Sequence, residues 1–343
     1  MSRPAMTAHT LTTPSHTTSY LAAGPAGGPL LLFAHGWPAL AATWRKQLTH
    51  FAALGYRVVA PDLRGYGHST VYGSPDAYRQ ENVVHDMLEL LDHLGRERAV
   101  WIGHDWGSPT VWNLASHHPD RTAAVAGLAV PYRSLELGLA AMLPLVNRDL
   151  YPEGTYPMAQ FDYMAYYEEH PERATAVLDA DPGGSVRALY RRGDPITPGT
   201  RVSPLATLRR DGGWFGGADR APDLPLDTAV LTEEDAEVLT ESLARNGFAG
   251  PTAYYLNHEA NAAYARQGVN GGRLDLPVLF LGADYDATAD VVTTRLAEPM
   301  RAHCSDLTEA RVPAGHWLQL ERPDLVNAHL ADWLSRMGIT PAP

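Results

Sequence analysis

Residues 103–108, Gly-His-Asp-Trp-Gly-Ser, follow an apolar run and precede a segment of helical character. The apolar run predicts a buried strand over 98–102, and the segment after the motif predicts a helix over 109–117. The Gly-x-Asp-x-Gly frame between them is typical of a sharp strand-to-helix turn that exposes a nucleophile at its central position. That position usually holds serine, and here it holds Asp105. The pattern therefore raises the question of which reaction requires a carboxylate at this turn.

Outside this turn, short apolar runs alternate with segments of helical periodicity along most of the chain. Strands and helices that alternate in this way predict an α/β fold, with a mostly parallel sheet and helices on both of its faces. The predicted strands are 29–34, 56–60, 98–102, 123–130, 276–281 and 307–312, and the predicted helices are 41–54, 81–94, 109–117, 291–302 and 323–336.

The alternation stops between residues 132 and 265, where no strand-like run is found and most of the 16 tyrosines lie. This segment carries helical pieces and a glycine-rich loop at 211–217. We therefore predict a core domain in two parts, 1–131 and 266–343, interrupted by a helical cap, 132–265.

The composition narrows the class of protein. A formal net charge of −12 argues against nucleic acid or an anionic membrane as a partner. No run is apolar enough for a membrane helix, the N-terminus lacks the apolar core of a signal peptide, and a single cysteine, Cys304, excludes an internal disulfide. These features predict a cytoplasmic protein. The single lysine, Lys46, among 27 basic residues indicates a GC-rich bacterial genome.

Three ionisable residues follow predicted strands, where ligands bind in open α/β sheets. They are Asp105, Asp286 in Gly-Ala-Asp-Tyr-Asp, and His316 in Pro-Ala-Gly-His-Trp. Their chain order, nucleophile, then acid, then base, is the order found in α/β-hydrolases. An aspartate after a strand is often only a turn residue or helix cap, as expected for Asp284 or Asp290. Three such residues in this order, one of them at a nucleophile turn, favour a catalytic triad.

The chemistry of aspartate answers the opening question. A serine must lose a proton to a base before it attacks, whereas aspartate is already an anion at neutral pH. A carboxylate therefore suits substitution at a saturated carbon, in an epoxide or a carbon–halogen bond, and leaves an ester on the enzyme. The histidine is then free to activate the water that hydrolyses this ester. The scheme requires no cofactor and no metal.

Hydrolysis of the ester also needs an oxyanion hole made of two backbone N–H groups. One should come from Trp106, the residue after the nucleophile. The other should come from His35-Gly-Trp-Pro38, where Gly36 allows a tight turn and Trp37 N–H points inward. Pro38 is a candidate for a cis peptide bond.

Taken together, these motifs resemble the epoxide hydrolases of the α/β-hydrolase fold. The resemblance spans nearly the whole chain. The matching stretches are His35-Gly-Trp-Pro38, Pro61-Asp-Leu-Arg-Gly-Tyr-Gly-His-Ser69, Gly103-His-Asp-Trp-Gly107, Phe161-Asp-Tyr163, Leu231-Thr-Glu-Glu-Asp235, Gly247-Phe-Ala-Gly-Pro251 and Gly315-His-Trp317.

The resemblance implies a role for each site residue. It implies Asp105 as nucleophile, His316 as base and Asp286 as its orienting acid. It also implies two cap tyrosines, Tyr163 and Tyr255, that bind and protonate the epoxide oxygen.

The second tyrosine match is looser. The family commonly has Trp-Tyr-Arg-Asn where this chain has Tyr-Tyr-Leu-Asn, so Tyr254 stays an alternative to Tyr255. A phenol can donate to the oxygen as negative charge develops on it, which is a general-acid role.

Other residues near the motifs are interpreted as structural. Tyr166 and Tyr167 are expected to pack in the cap. Arg64, Tyr66 and His68 are interpreted as turn structure. His35 and His104 are expected to form supporting hydrogen bonds around the nucleophile turn.

Two alternatives to an epoxide hydrolase stay open, and a third is disfavoured. A haloalkane or haloacid dehalogenase would use the same nucleophile, with Trp37 or Trp106 as a donor to the halide. A non-catalytic ligand receptor on a hydrolase fold belongs to a different class. A serine esterase is disfavoured because Ser108 lies outside the nucleophile position. The tyrosine- and tryptophan-rich cap favours a small apolar or aromatic epoxide as substrate, and a homodimer is compatible with the sequence.

Overall fold

The computed structural model describes residues 5–195 and 199–341. Its strands form one sheet of eight, in the order β1-β2-β4-β3-β5-β6-β7-β8. The pairs β1–β2 and β2–β4 are antiparallel and the other pairs are parallel. The mostly parallel α/β sheet is therefore confirmed. The strands are β1 Thr7–Thr12, β2 Thr17–Ala23, β3 Leu30–Ala34, β4 Arg57–Pro61, β5 Ala99–His104, β6 Thr122–Leu128, β7 Leu274–Ala283 and β8 Cys304–Val312.

The α-helices of the described residues fall into two groups. One group lies outside the region between β6 and β7 and covers the faces of the sheet: α1 Arg45–Ala53, α2 Gln80–His93, α3 Gly107–His117, α11 Glu298–His303, α12 Leu318–Glu321 and α13 Pro323–Arg336. The other group lies between β6 and β7: α4 Leu139–Met142, α5 Asp162–Glu169, α6 Pro171–Asp179, α7 Pro182–Leu189, α8 Glu233–Asn246, α9 Ala249–Ala253 and α10 His258–Ala265. None of the described helices is long and apolar enough to cross a membrane.

The central strands are continuous apolar runs because both of their faces are covered by helices. Every residue of β3 and of β5 is buried. These two strands run parallel in a register that pairs Leu32 with Trp101. Their carboxyl ends therefore meet at one edge of the sheet, and the loops that follow them lie side by side.

An N-terminal hairpin was not predicted from the sequence. β1 and β2 pair antiparallel with His9 opposite Tyr20, and β1 is mostly exposed. The strand is rich in threonine and histidine, which form an exposed edge without an apolar pattern to reveal it.

The predicted helix over 291–302 is wrong at its N-terminal half, because α11 begins only at Glu298. The side chain of Asp290 accepts hydrogen bonds from the backbone N–H groups of Val292 and Thr293, at 2.8 and 2.9 Å. This local turn competes with a helix in a run of β-branched residues, and Pro299 then suits the first turn of α11.

The region between β6 and β7 contains helices and loops, with no strand among its described residues. This agrees with the helical character predicted for 132–265. The exact division into core and cap stays a prediction.

The nucleophile turn is a close contact between two backbone segments. Asp105 has a φ of 51°, an unusual value for a residue with a side chain. Gly103 lies so close to the start of α3 that a Cβ on it would be 2.2 Å from the carbonyl oxygen of Gly107. Gly103 therefore allows β5 and α3 to approach closely while Asp105 is held at the turn. A Cβ on Gly107 would lie 2.1 Å from the carbonyl oxygen of Ala34, so Gly107 allows α3 to approach the end of β3.

Replacing Gly103 by Ala should lower the free energy of unfolding by about 1–3 kcal/mol, because the added methyl group meets backbone that cannot move aside. Urea unfolding, followed by circular dichroism, measures this loss. Gly27→Ala is the matched control, because a Cβ at Gly27 would meet nothing within 4 Å. Equal stability of the two variants would contradict this account of the turn.

Candidate active site

The carboxyl ends of β5, β7 and β8 bring together the three residues predicted as a triad. His316 Nδ1 lies 2.8 Å from Asp286 Oδ2, and His316 Nε2 lies 3.4 Å from Asp105 Oδ2. Both carboxylates are buried, with exposed fractions of 4% for Asp105 and 2% for Asp286. One imidazole therefore bridges two carboxylates that are largely withdrawn from water.

Asp286 is held by its own loop. Its Oδ1 accepts hydrogen bonds from the backbone N–H groups of Thr288, at 2.8 Å, and Ala289, at 3.1 Å. Burial alone would raise the pKa of Asp286, but His316 and these two N–H donors outweigh burial and lower the pKa. Asp286 is thus a fixed anion that orients the imidazole through Nδ1.

The two carboxylates set the protonation state of His316. Burial alone would lower the pKa of His316, but the charges and hydrogen bonds of Asp286 and Asp105 outweigh burial and raise the pKa to about 10. The side chain is therefore an imidazolium at neutral pH while both carboxylates are ionised.

The loop after β3 supplies a donor to the nucleophile. Trp37 N–H donates to Asp105 Oδ1 at 2.6 Å, and the Trp37–Pro38 peptide bond is cis. A Cβ on Gly36 would lie 2.3 Å from Asp105 Oδ1 and 2.5 Å from the backbone nitrogen of Trp106. Gly36 therefore leaves room for the carboxylate beside both backbone groups that were predicted to form an oxyanion hole.

Two buried histidines support these loops, as predicted. His104 Nε2 donates to the carbonyl oxygen of His316 at 2.7 Å. His35 Nε2 accepts from the N–H of Leu63 at 2.9 Å, and its Nδ1 donates to the carbonyl of Gly36 at 2.9 Å. Burial lowers the pKa of both histidines, to about 4 for His104, so both are neutral scaffold groups at neutral pH.

Tyr163 and Tyr255 meet above the nucleophile. Tyr163 lies on α5, and Tyr255 lies in the short 3-10 turn Tyr254–Leu256. Their ring centroids are 5.7 Å apart at an interplanar angle of 76°, and both residues are buried. Burial raises the pKa of each phenol well above its usual value, and the charge of Asp105 adds to this. Both side chains are therefore neutral donors near a carboxylate.

Tyr254 points away from the site. Its hydroxyl donates to the carbonyl oxygen of Arg64 at 3.1 Å. The guanidinium of Arg64 forms a buried ion pair with Asp86 at 2.7 Å, which agrees with the structural role predicted for Arg64. Tyr254 therefore anchors the segment that carries Tyr255, and Tyr255 is the member of the pair that lies against the site.

Tyr167 lies on α5, in the region between β6 and β7, and is buried there. Its ring stacks on that of Tyr255, with centroids 4.6 Å apart at 15°.

A cavity of about 260 Å³ lies between the carboxylate of Asp105 and the two tyrosines. It is lined by Asp105, His316, Tyr163 and Tyr255, and by a largely apolar wall that includes Trp37, Leu189, Leu205, Trp214 and Trp317. A neighbouring cavity of about 320 Å³ touches Asp286 but neither Asp105 nor the two tyrosines, so it does not hold the reacting groups. Within residues 5–195 and 199–341, no cluster of three His, Cys, Asp or Glu side chains is suited to a metal ion.

Several lining residues were not found by sequence reasoning. Trp214 lies in the glycine-rich loop, Leu205 lies in a 3-10 turn, and Thr288 follows Asp286. None of them belongs to a periodic pattern or a motif. Only the aromatic content of the cap signalled that this wall would be apolar.

Comparison with known proteins identifies the class first. A family model described as the alpha/beta hydrolase fold matches residues 29–199. This agrees with the order and the mostly parallel pairing of the strands in the sheet.

Individual relatives narrow the class. The chain is 35% identical over 323 residues to epoxide hydrolase A of Mycobacterium tuberculosis, covering 92% of this chain and 94% of that protein. It is 30% identical to bifunctional epoxide hydrolase 2 of Sus scrofa, covering 90% of this chain and 51% of that protein. The crystal structure of epoxide hydrolase A from Mycobacterium thermoresistibile matches with a TM-score of 0.77 and 32% identity, covering 96% and 98% of the two chains. The chain belongs to the epoxide hydrolases of the α/β-hydrolase fold.

Replacing Asp105 by Asn should lower the pKa of His316, because it removes one of the two carboxylates that raise this pKa to about 10. A ¹⁵N NMR titration of the imidazole measures the change. Asp120→Asn, an exposed aspartate outside the site, is the matched control and should leave the titration unchanged. An unchanged pKa in Asp105→Asn would mean that Asp286 alone sets the charge of His316.

The free energy of unfolding should depend on pH through the same charge on His316. A raised folded-state pKa stabilises the folded protein fully below about pH 6.5, and this contribution is lost as the pH rises through about 10. The Asp105→Asn variant should therefore show a weaker loss of stability across this pH window.

Proposed function

We propose that the protein hydrolyses an epoxide to a vicinal diol through an ester on Asp105. The observation that carries the proposal is that a buried carboxylate and two buried phenols line one cavity. A carboxylate can attack an epoxide carbon only if the oxygen that leaves is stabilised, and the phenols are the donors in position to do this. Tyr163 and Tyr255 are thus proposed as the acids.

In the first step, Asp105 Oδ2 forms a bond to an epoxide carbon, and the bond from that carbon to the epoxide oxygen breaks. Oδ2 is the attacking atom because Oδ1 is held by Trp37 N–H at 2.6 Å. The electron pair of the broken bond stays on the epoxide oxygen, which takes a proton from Tyr163 or Tyr255. The products of this step are a hydroxy-ester and a phenolate.

Ester formation then converts His316 into a base. The step removes the negative charge of Asp105, which is one of the causes of the raised pKa of His316. The imidazolium therefore loses its proton more easily, and this proton balances the one that the phenolate must regain through the water of the cavity. The acid and the base are reset by one proton transfer.

In the second step, His316 takes a proton from water, and the hydroxide attacks Cγ of Asp105. The charge develops on Oδ1, which faces Trp37 N–H and the proposed second donor, Trp106 N–H. The bond between Cγ and Oδ2 then breaks. The diol leaves with Oδ2 and one proton, the other proton stays on His316, and Asp105 keeps Oδ1 and the oxygen of the water.

The substrate and the segment that covers the site follow from the same chemistry. We infer a small-molecule epoxide as the substrate, a helical cap over 132–265 that carries both acids, and turnover without a cofactor. A cytoplasmic location and a homodimer stay predictions.

The His316→Gln variant should form the ester but not hydrolyse it, because Asp105 needs no base for its attack. Incubated with styrene oxide, it should gain one substrate mass by intact-mass spectrometry, and peptide mapping should place this mass on Asp105. The wild-type protein should release diol and accumulate little adduct.

His85→Gln is the matched control, since its side chain is 66% exposed on α2 and should leave diol release unchanged. A His316→Gln variant with neither adduct nor turnover would contradict this division of roles. Turnover of an alkyl halide but of no epoxide by the wild-type protein would instead favour a dehalogenase.

Replacing Tyr163 or Tyr255 by Phe should slow ring opening, since general-acid catalysis contributes about 10²–10⁴-fold. Each single variant keeps one phenol, so the effect of the double variant need not be the product of the two. Single-turnover kinetics of ester formation in the His316→Gln background measure this step directly.

Tyr264→Phe is the matched control, because the ring of Tyr264 stacks on His117 and does not line the cavity. A severe loss in Tyr254→Phe with normal rates in Tyr255→Phe would overturn the assignment of the second acid.

A further inference from the structure

The space around the nucleophile has two arms of very different size. The arm described above has a volume of about 260 Å³. A second space of about 20 Å³ adjoins it at the reacting groups and is otherwise lined by different residues. The two spaces share Asp105, Tyr163 and Thr288, so they meet where the epoxide would react.

The large arm has room for a ring. A dry apolar cavity of about 150 Å³ is known to hold benzene, and this arm is larger. Its walls are largely apolar and partly aromatic, with Arg191 also lining it, and the rings of Trp37 and Trp214 are stacked at a centroid distance of 5.9 Å and 22°. Trp317 adds a third indole. These flat walls suit an apolar, and above all an aryl, substituent.

The small arm has room for about one water molecule or one methyl group. Its walls are largely apolar, although Asp105, Ser134 and Thr288 also line it, and they come from several separate segments. They include Val130, Leu135, Met142, Phe161, Met164 and Leu296, none of which is more than 6% exposed. Close-packed walls of this kind resist displacement by a larger group, because a single added carbon already strains a packed interior.

Each of the two arms would receive the substituent on one of the two epoxide carbons. The oxygen of the epoxide must lie at Tyr163 and Tyr255, and one carbon must lie within reach of Asp105. The substituents of a trans-disubstituted epoxide point in opposite directions from the two carbons, so one of them must enter the small arm. A monosubstituted epoxide needs only the large arm.

We propose that the substrates of this enzyme are epoxides with one bulky apolar substituent, and that the small arm excludes a second substituent larger than a methyl group. This inference rests on the proposed function and names the class of substrate for the same site. Met142, Leu135 and Met164 are its specificity-determining residues.

A panel of three epoxides with increasing second substituents tests the proposal: styrene oxide, trans-β-methylstyrene oxide and trans-stilbene oxide. We expect kcat/KM for the methyl compound to lie within about tenfold of that for styrene oxide, because a methyl group fits the small arm. We expect kcat/KM for trans-stilbene oxide to be lower by at least about 100-fold, because a phenyl ring does not fit.

The Met142→Ala variant opens the small arm by removing the side chain beyond Cβ. It should raise the ratio of kcat/KM for trans-stilbene oxide to kcat/KM for styrene oxide by at least about tenfold. Met87→Ala is the matched control, because Met87 is equally buried, in α2, and lines neither arm. If Met142→Ala does not fold, Leu135→Ala tests the same wall from a different segment.

The outcomes separate this inference from the proposed function. Diol from styrene oxide with an equal kcat/KM for trans-stilbene oxide would overturn the substrate class alone. A ratio that rises no more in Met142→Ala than in Met87→Ala would overturn the role of the small arm. Absence of diol from all three epoxides, in a folded protein, would overturn the proposed function and this inference with it.

Discussion

One imidazole between two buried carboxylates is the interaction on which the rest of the site depends. A buried carboxylate is costly unless it is paired and hydrogen-bonded, and here a single histidine pairs with two of them. The remaining lone pairs of the carboxylates are satisfied by backbone N–H groups of Trp37, Thr288 and Ala289. Part of the raised pKa of His316 comes from the charge of Asp105, so an ester on Asp105 lowers the proton affinity of His316.

The fold delivers these groups from distant parts of the chain. β5 is far in sequence from β7 and β8, but the carboxyl ends of all three strands reach the same edge of one sheet. The nucleophile turn adds a constraint of its own, since Gly103 and Gly107 are in backbone contact and Asp105 has a left-handed φ. A small number of glycines thus converts a general property of parallel sheets into a defined position for one carboxylate.

The sequence could predict those parts of the molecule that are set by local patterns. The central strands are continuous apolar runs, the turn at Asp105 is marked by glycines, and each residue predicted as a triad member follows a strand. The N-terminal hairpin escaped prediction because β1 is exposed and carries no apolar alternation. The helix over 291–302 was overestimated because Asp290 caps a local turn that apolar periodicity does not reveal. The cavity walls depend on tertiary packing between loops, and no local pattern encodes them.

Tyr254 and Tyr255 connect the segment between β6 and β7 to the rest of the site. Tyr254 donates to the carbonyl of Arg64 in the core, and its neighbour Tyr255 lines the cavity. The position of the proposed acid is therefore set by an anchor one residue away, and by the stacked ring of Tyr167 on its other side.

Tyr190 contacts two loops of the site, the one that follows β3 and the one that carries His316. Its hydroxyl donates to the carbonyl oxygen of Pro38 at 2.6 Å, next to the Trp37 N–H that holds Asp105. Its ring stacks on Trp317 at a centroid distance of 4.0 Å, next to His316. One fully buried side chain thus contacts the loop that holds the nucleophile and the loop that carries the base. The segment between β6 and β7 is therefore packed directly against the loops that hold Asp105 and His316, and Tyr190 is a contact that they share.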